Sequence, residues 1–189
     1  MSLSLLQDVH RPRGRFGWVR KQMLRGYARV IEWTTLLHRR TLNLARVDDF
    51  LYVGGEIRRA DYAKLAALGI TGVIDVRSER KDDAVMLKTH GIELLHLPVP
   101  DHFAPQRTQL EEGVSWALER IEKGGRIYSH CQHGVGRGPL MGLCILVAKG
   151  RPMQEAYSHL RQHRWQATLN DRQLAAVADF AEAWKNRRA

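Results

Sequence analysis

The sequence predicts a single α/β domain with a central, mainly parallel sheet flanked by helices, preceded by a basic helical extension. Three observations predict it. From residue 50 onward, short apolar runs alternate with stretches of helical periodicity, the order that builds βαβ units. Gly or Pro punctuates these runs, at Gly54-Gly55, Gly69, Gly124-Gly125 and the group Pro98, Pro100 and Pro105. Finally, 189 residues, 44% hydrophobic and 26% charged, match one globular domain with a packed core. The expected division is 1–46 for the extension and 47–189 for the domain.

Taken in order, residues 15–40 repeat Phe16, Val19, Met23, Tyr27, Val30 or Ile31, Thr34 and Leu37 every three or four positions, a helical stripe. Arg20, Lys21, Arg25, Arg29, Arg39 and Arg40 cover the other face, with Trp18 and Trp33 as interfacial aromatics. Residues 50–53 read as a strand, 61–68 as a helix stopped by Gly69, and 72–76 as a buried strand rich in Val and Ile. A helix over 83–89 then leads to a strand over 92–97. Thr108 is expected to cap a helix carrying Leu110, Val114, Ala117, Leu118 and Ile121. Residues 126–129 form a strand, 130–138 a Gly-rich loop, and an apolar helix starts at Pro139. Helices over 153–163 and 171–184 close the chain.

Composition excludes several classes. The longest apolar run, 140–148, is far short of the ~20 residues that span a bilayer. The N-terminus shows no apolar segment followed by a cleavage site, so a cytoplasmic protein is expected, peripheral to a membrane at most. Two cysteines, Cys131 and Cys144, are too few for a disulfide scaffold. The net charge of +10 is lopsided: residues 1–46 hold 10 basic and 2 acidic side chains, the remainder 20 and 18. The extension is read first as a helix docking its apolar stripe on the domain, second as one attaching to an anionic membrane surface or an acidic partner. Nucleic acid is not an expected partner, since no zinc-finger spacing, RNP-like aromatic motif or helix-turn-helix accompanies the charge.

Chemistry concentrates in His130-Cys131-Gln132-His133-Gly134-Val135-Gly136-Arg137-Gly138, between an expected strand and the start of an expected helix. Free N–H groups and the helix dipole favour an anion there, and the glycines let the backbone wrap it. A thiol at the mouth of such a cradle, near a fixed Arg, ionises more readily than a free one and becomes a nucleophile. Arg137 can hold two phosphoryl oxygens on its planar fork. Thiolate attack on phosphorus is the chemistry this pattern describes. Residues 132–137 (Gln132, His133, Gly134, Val135, Gly136 and Arg137) are the candidate phosphate binders. Cys144, inside an apolar helix, reads as core, and Asp75 as a tie at the end of a strand. His159 with His163, or His130 with Cys131 and His133, lack the remaining ligands of a structural zinc, so no metal or cofactor is expected.

His130-Cys131, five residues and then Arg137 resembles the His-Cys-x5-Arg signature of the cysteine-dependent protein tyrosine phosphatases, and the small size resembles their dual-specificity branch. The stretch 97–105 is similar to the mobile loop that presents the general acid in that branch, which would make Asp101 the acid. Residues 50–77 resemble the opening of these domains and 170–174 the start of their last helix, so the resemblance covers 46–184. It implies a two-step reaction in which Cys131 takes the phosphoryl group, Asp101 protonates the leaving group, and water hydrolyses the cysteinyl-phosphate. In that scheme His130 supports the thiolate without touching substrate, and His133, Asn170 or Gln173 could help position water, the last two otherwise capping and packing the last helix.

The chain departs from the family pattern at Gly138, where Ser or Thr usually stabilises the leaving thiolate. Positions that carry Lys in polyphosphoinositide-directed relatives are Gln132, His133 and Val135 here. A phosphoprotein phosphatase acting on tyrosine, and also on serine or threonine, is therefore the first expectation. A phospholipid or small phosphoester phosphatase at a membrane surface is the second, and a phosphate-binding pseudophosphatase the third.

Overall fold

The computed structural model describes residues 42–187. The expected basic helix and its membrane role lie outside these residues. Strands β1 (Leu44–Asp48), β2 (Leu51–Gly54), β3 (Ile70–Arg77), β4 (Glu93–Val99) and β5 (Arg126–His130) form one sheet in the order β1-β2-β5-β3-β4. All neighbours run parallel except β1 and β2. Helices α1 (Tyr62–Ala67), α2 (Ala84–Thr89), α3 (Arg107–Glu122), α4 (Arg137–Ala148), α5 (Met153–His163) and α6 (Asp171–Asn186) cover both faces.

Side-chain alternation divides the core into two layers. In β3, Val73 packs with Tyr62, Leu65, Leu87 and Tyr128 under α1 and α2, whereas Ile74 and Val76 join Leu97, Ile127 and the residues of α3 to α6. α4 runs through the larger layer with Leu140, Met141, Leu143, Cys144, Ile145 and Leu146 all buried. That burial explains its unbroken apolar sequence, each such side chain contributing about 2 kcal/mol on leaving water.

Three expectations are corrected. β1 crosses the expected boundary at 46/47; only its Val47 is buried, so no alternating pattern announces a strand paired to β2. Gln106, not Thr108, precedes α3, and its N–H donates to the Gln109 side chain at 2.9 Å. α4 begins at Arg137, two residues before Pro139, so Arg137 belongs to a helical first turn instead of a curled loop. The loops leaving β3, β4 and β5 emerge together at the carboxyl ends of adjacent parallel strands, where open α/β sheets place their sites.

Candidate active site

Beyond β5 the chain turns through residues 131–136 into α4. Cys131 is only 3% exposed, and its Sγ accepts the Gly134 N–H at 3.3 Å. Five successive carbonyls of the loop are engaged: Gln132 by the Glu56 N–H at 3.0 Å, His133 by Arg164 Nη2 at 3.0 Å, Gly134 by Arg164 Nε at 2.6 Å, Val135 by the Thr168 N–H at 2.9 Å and Gly136 by the Leu140 N–H at 2.8 Å. The peptides of this loop are trans, so each carbonyl points away from the next N–H. The N–H groups of residues 133–137 thereby face away from those carbonyl partners, and that of Gly134 meets the Cys131 sulfur. Those of His133, Val135 and Gly136 donate to nothing among the described residues. The result is a nest of donors beside a thiol, suited to a tetrahedral oxyanion. Gly134 makes it available: its φ is +69°, and a Cβ there would lie 2.2 Å from the Gly54 carbonyl carbon.

Arg137 is 2% exposed. Glu79 grips both its terminal nitrogens, at 2.8 and 2.7 Å, while Nη1 also donates to the Val99 carbonyl at 2.8 Å and Nη2 meets Asp101 Oδ1 at 3.0 Å. The buried Nε–H is left without a partner among the described residues. The bonds from Arg137 pull the Glu79 carboxyl down to about 2 against the opposing effect of burial. Burial works against the charge of Arg137, yet Glu79, Cys131 and Asp101 together push its pKa up.

His130 lies beneath the loop, fully buried and stacked on Tyr128 with ring centroids 5.1 Å apart. Its Nε2 bonds to Asp82 at 2.9 Å and its Nδ1 approaches the Cys131 carbonyl at 3.3 Å, so it supports the nucleophile's backbone instead of its sulfur. Burial would raise the Asp82 pKa, but His130 and Arg77 hold it below the usual carboxylate range. Arg77 in turn bonds Asp75 through Nε and Nη2, both at 2.9 Å, and Asp82 at 2.6 Å. Asp75 thus ties down the end of β3, as its position suggests. Asp75, Asp82 and His130 stand close enough to hold a metal ion, but a guanidinium and backbone N–H groups already fill the carboxylates, so the cluster is an ion-pair network.

Asp101 follows β4 with its side chain 57% exposed, one oxygen on Arg137. Asn170 and Gln173, weighed above as holders of water, have their amides engaged elsewhere: Asn170 Nδ2 donates to the His102 carbonyl at 2.9 Å and Gln173 Nε2 to the Phe103 carbonyl at 3.1 Å. His133 enters the site through its backbone. At Gly138 a Cβ would stand 2.8 Å from His130 Cα and 2.9 Å from Cys131 N, so the first turn of α4 lies against the nucleophile's backbone where Ser or Thr would not fit without a shift. Cys144 is fully buried in α4 and burial pushes its thiol up, the behaviour of a core residue.

Sequence reasoning missed Glu79, Asp82 and Arg164. Arg164 is 3% exposed, and its partners among the described residues are neutral oxygens: the two loop carbonyls and Asn43 Oδ1 at 3.0 Å. Burial lowers its pKa, against smaller opposing effects of Tyr128 and Cys131. Nothing in the run from Arg161 to Arg164 separates this buried cation from its surface neighbours, and only folding brings Glu79 to Arg137.

A family model described as "Polymorphic toxin system, DSP-PTPase phosphatase" matches residues 51–151. The phosphatidylglycerophosphate phosphatase PTPMT2 of Arabidopsis thaliana is 28% identical over 140 residues, which cover 72% of this chain and 61% of the relative. Dual specificity protein phosphatase 5 of Homo sapiens is 29% identical over 123 residues, 64% of this chain and 31% of the relative. The chain therefore spans less than two thirds of these relatives' length. The crystal structure of PTPMT1 in complex with PI(5)P superposes with a TM-score of 0.74 at 22% identity, over 78% of this chain and 99% of that one. That likeness establishes the fold: an α/β domain with a mostly parallel five-stranded sheet.

Proposed function

The chain belongs to the DSP-PTPase phosphatase family of polymorphic toxin systems, within the dual-specificity-like branch of the cysteine-dependent protein tyrosine phosphatases, and from that premise we propose that it hydrolyses phosphomonoesters through a cysteinyl-phosphate on Cys131. The observation that carries the reading is a phosphate loop whose carbonyls are all engaged, with the Gly134 N–H on the Cys131 sulfur and the buried Nε–H of Arg137 without a partner among the described residues. In the first step the thiolate attacks phosphorus; the S–P bond forms, the P–O bond breaks, and Asp101 gives its proton to the departing oxygen. The loop N–H groups and Arg137 take the charge of the equatorial oxygens. In the second step water attacks phosphorus, Asp101 takes its proton, and the S–P bond breaks to return the thiolate.

Phosphotyrosine, phosphoserine and phosphothreonine of proteins are the first substrate class, supported by the dual-specificity relatives and by a loop with no Lys at Gln132, His133 or Val135. Phosphatidyl phosphomonoesters are the second, supported by the name of the Arabidopsis relative and by the ligand of the PTPMT1 complex. In that case the basic segment before residue 47 would bring the enzyme to an anionic surface.

Because Gly138 supplies no hydroxyl to the leaving thiolate, breakdown of the intermediate is the slower step, by about 10²-fold relative to a site with that donor. Pre-steady-state hydrolysis of an aryl phosphate in the presence of chelator tests this. The expected result is a burst approaching one equivalent per site, absent in Cys131→Ser. Phosphate binding without turnover would replace the enzyme by a binding module. Parallel assays with a phosphotyrosine peptide and with vesicles containing a phosphatidyl monoester separate the substrate classes.

A further inference from the structure

We propose that the N-terminal cap of α6 latches the acid loop, Asn170 and Gln173 acting as positioning residues that hold Asp101 over the phosphate loop without touching substrate. The inference rests on Asp101 being the proton donor. The loop has little of its own to hold it. Residues 100–103 form a turn closed by the Phe103 N–H on the Pro100 carbonyl at 3.1 Å, and His102 takes φ +64°, a conformation L residues rarely adopt. The side chains of Asp101 and His102 are 57% and 87% exposed, so the core does not fix this turn.

Besides the ion pair of Asp101 with Arg137, what fixes it comes from α6, nearly seventy residues on. Asn170 Nδ2 donates to the His102 carbonyl at 2.9 Å, Gln173 Nε2 donates to the Phe103 carbonyl at 3.1 Å, and the Arg172 guanidinium lies 4.4 Å over the Phe103 ring. Gln173 is 2% exposed and also abuts the phosphate loop, since a Cβ on Gly136 would come within 3.0 Å of its amide. One side chain therefore touches both loops.

The chemistry of the cap explains why both residues are amides. Their oxygens serve the helix: Asn170 Oδ1 accepts the Gln173 N–H at 3.0 Å and Gln173 Oε1 accepts the Asn170 N–H at 3.2 Å. Their nitrogens serve the loop. A capping box needs only acceptors at these two positions, so the donors are surplus to the helix and are what the cap gives the latch.

This division makes the inference testable in the full chain. Asn170→Asp and Gln173→Glu keep the cap acceptors and remove the donors; Asn170→Ser is a second cap-preserving variant that lacks the amide nitrogen. Hydrogen exchange over residues 100–105 and kcat/KM for aryl phosphates of rising leaving-group pKa are the two measurements. Expected is faster exchange confined to that segment, with a rate loss that grows as the leaving group worsens. It should be about tenfold for phenyl phosphate and under about twofold for a dinitrophenyl ester, part of the roughly 10²–10⁴ that a general acid supplies. Unchanged exchange and an unchanged leaving-group slope in Asn170→Asp and Asn170→Ser would overturn the latch. A wild-type chain without Cys131-dependent turnover would sink the phosphatase reading instead, while the exchange measurement would still decide the latch.

Discussion

The phosphate loop and the acid loop meet at Arg137, yet they are held by different means. Residues 132–136 have every carbonyl tied, lie over the buried His130-Asp82-Arg77-Asp75 network, and run directly into a helix buried on all sides. Residues 101–103 are exposed, contain a positive φ, and depend on two side-chain amides, the Arg172 guanidinium over Phe103 and one ion pair. The half that must present fixed charge to a transition state is pre-organised by the fold, as electrostatic stabilisation demands. The half that must give up and recover a proton is built from few contacts, the kind of segment that can open for substrate and product.

Substitutions that respect or cross this division sharpen it. The largest expected effect is at the nucleophile: Cys131→Ser should lower turnover of an aryl phosphate on the order of 10⁴-fold or more. Cys144→Ala should leave turnover within about twofold while costing about 1 kcal/mol of stability. Equal losses from both thiols would mean that α4 packing, not the loop, sets activity. Next is Gly134→Ala, which forces a Cβ toward the Gly54 backbone at a φ of +69°. It should destabilise by about 3 kcal/mol in denaturant unfolding and remove phosphate-analogue binding. In the acid loop, Asp101→Asn should cost about 10²-fold in kcat/KM for poor leaving groups, with no change in unfolding midpoint. A fall in stability there would contradict the contrast between the halves.

How much of this was legible in the sequence follows the same division. The parallel sheet was readable because β3 is an apolar run buried on both faces and helical stretches separate it from the next strands, and the phosphate loop because its residues are contiguous between strand and helix. Asp101 was readable only through resemblance, since a Pro-Asp pair in a loop is otherwise an ordinary turn. β1 escaped because one buried residue makes no pattern. Glu79, Asp82 and Arg164 escaped because their meaning lies in partners 58, 48 and 30 residues away. The cap amides of α6 were noticed as caps of the last helix or as holders of water, because capping explains their oxygens and only the fold gives their nitrogens a destination.

The smallest expected effect concerns the contact between the halves. Glu79 holds Arg137 from the β3 side, and Arg137 holds its carboxyl down to about 2 from an ordinary value of 4.5. A depressed carboxylate adds stability that is fully present above about pH 4.5 and is lost as pH falls through about 2. Glu79→Gln should therefore be less stable than wild type at pH 7, and the gap should narrow as pH drops from 4.5 toward 2. With 39% of the Glu79 side chain exposed, solvent screens the pair and the gap is small. The same variant frees Nη1 and Nη2 of Arg137 to turn toward solvent or Asp101, so KM for an aryl phosphate should rise by about tenfold while kcat changes less. Denaturation midpoints across that pH window, with KM and kcat at pH 6, provide the check. A gap that stays constant with pH would show that Glu79 acts on Arg137 through its shape and hydrogen bonds alone, leaving its charge without a part in holding the loops together.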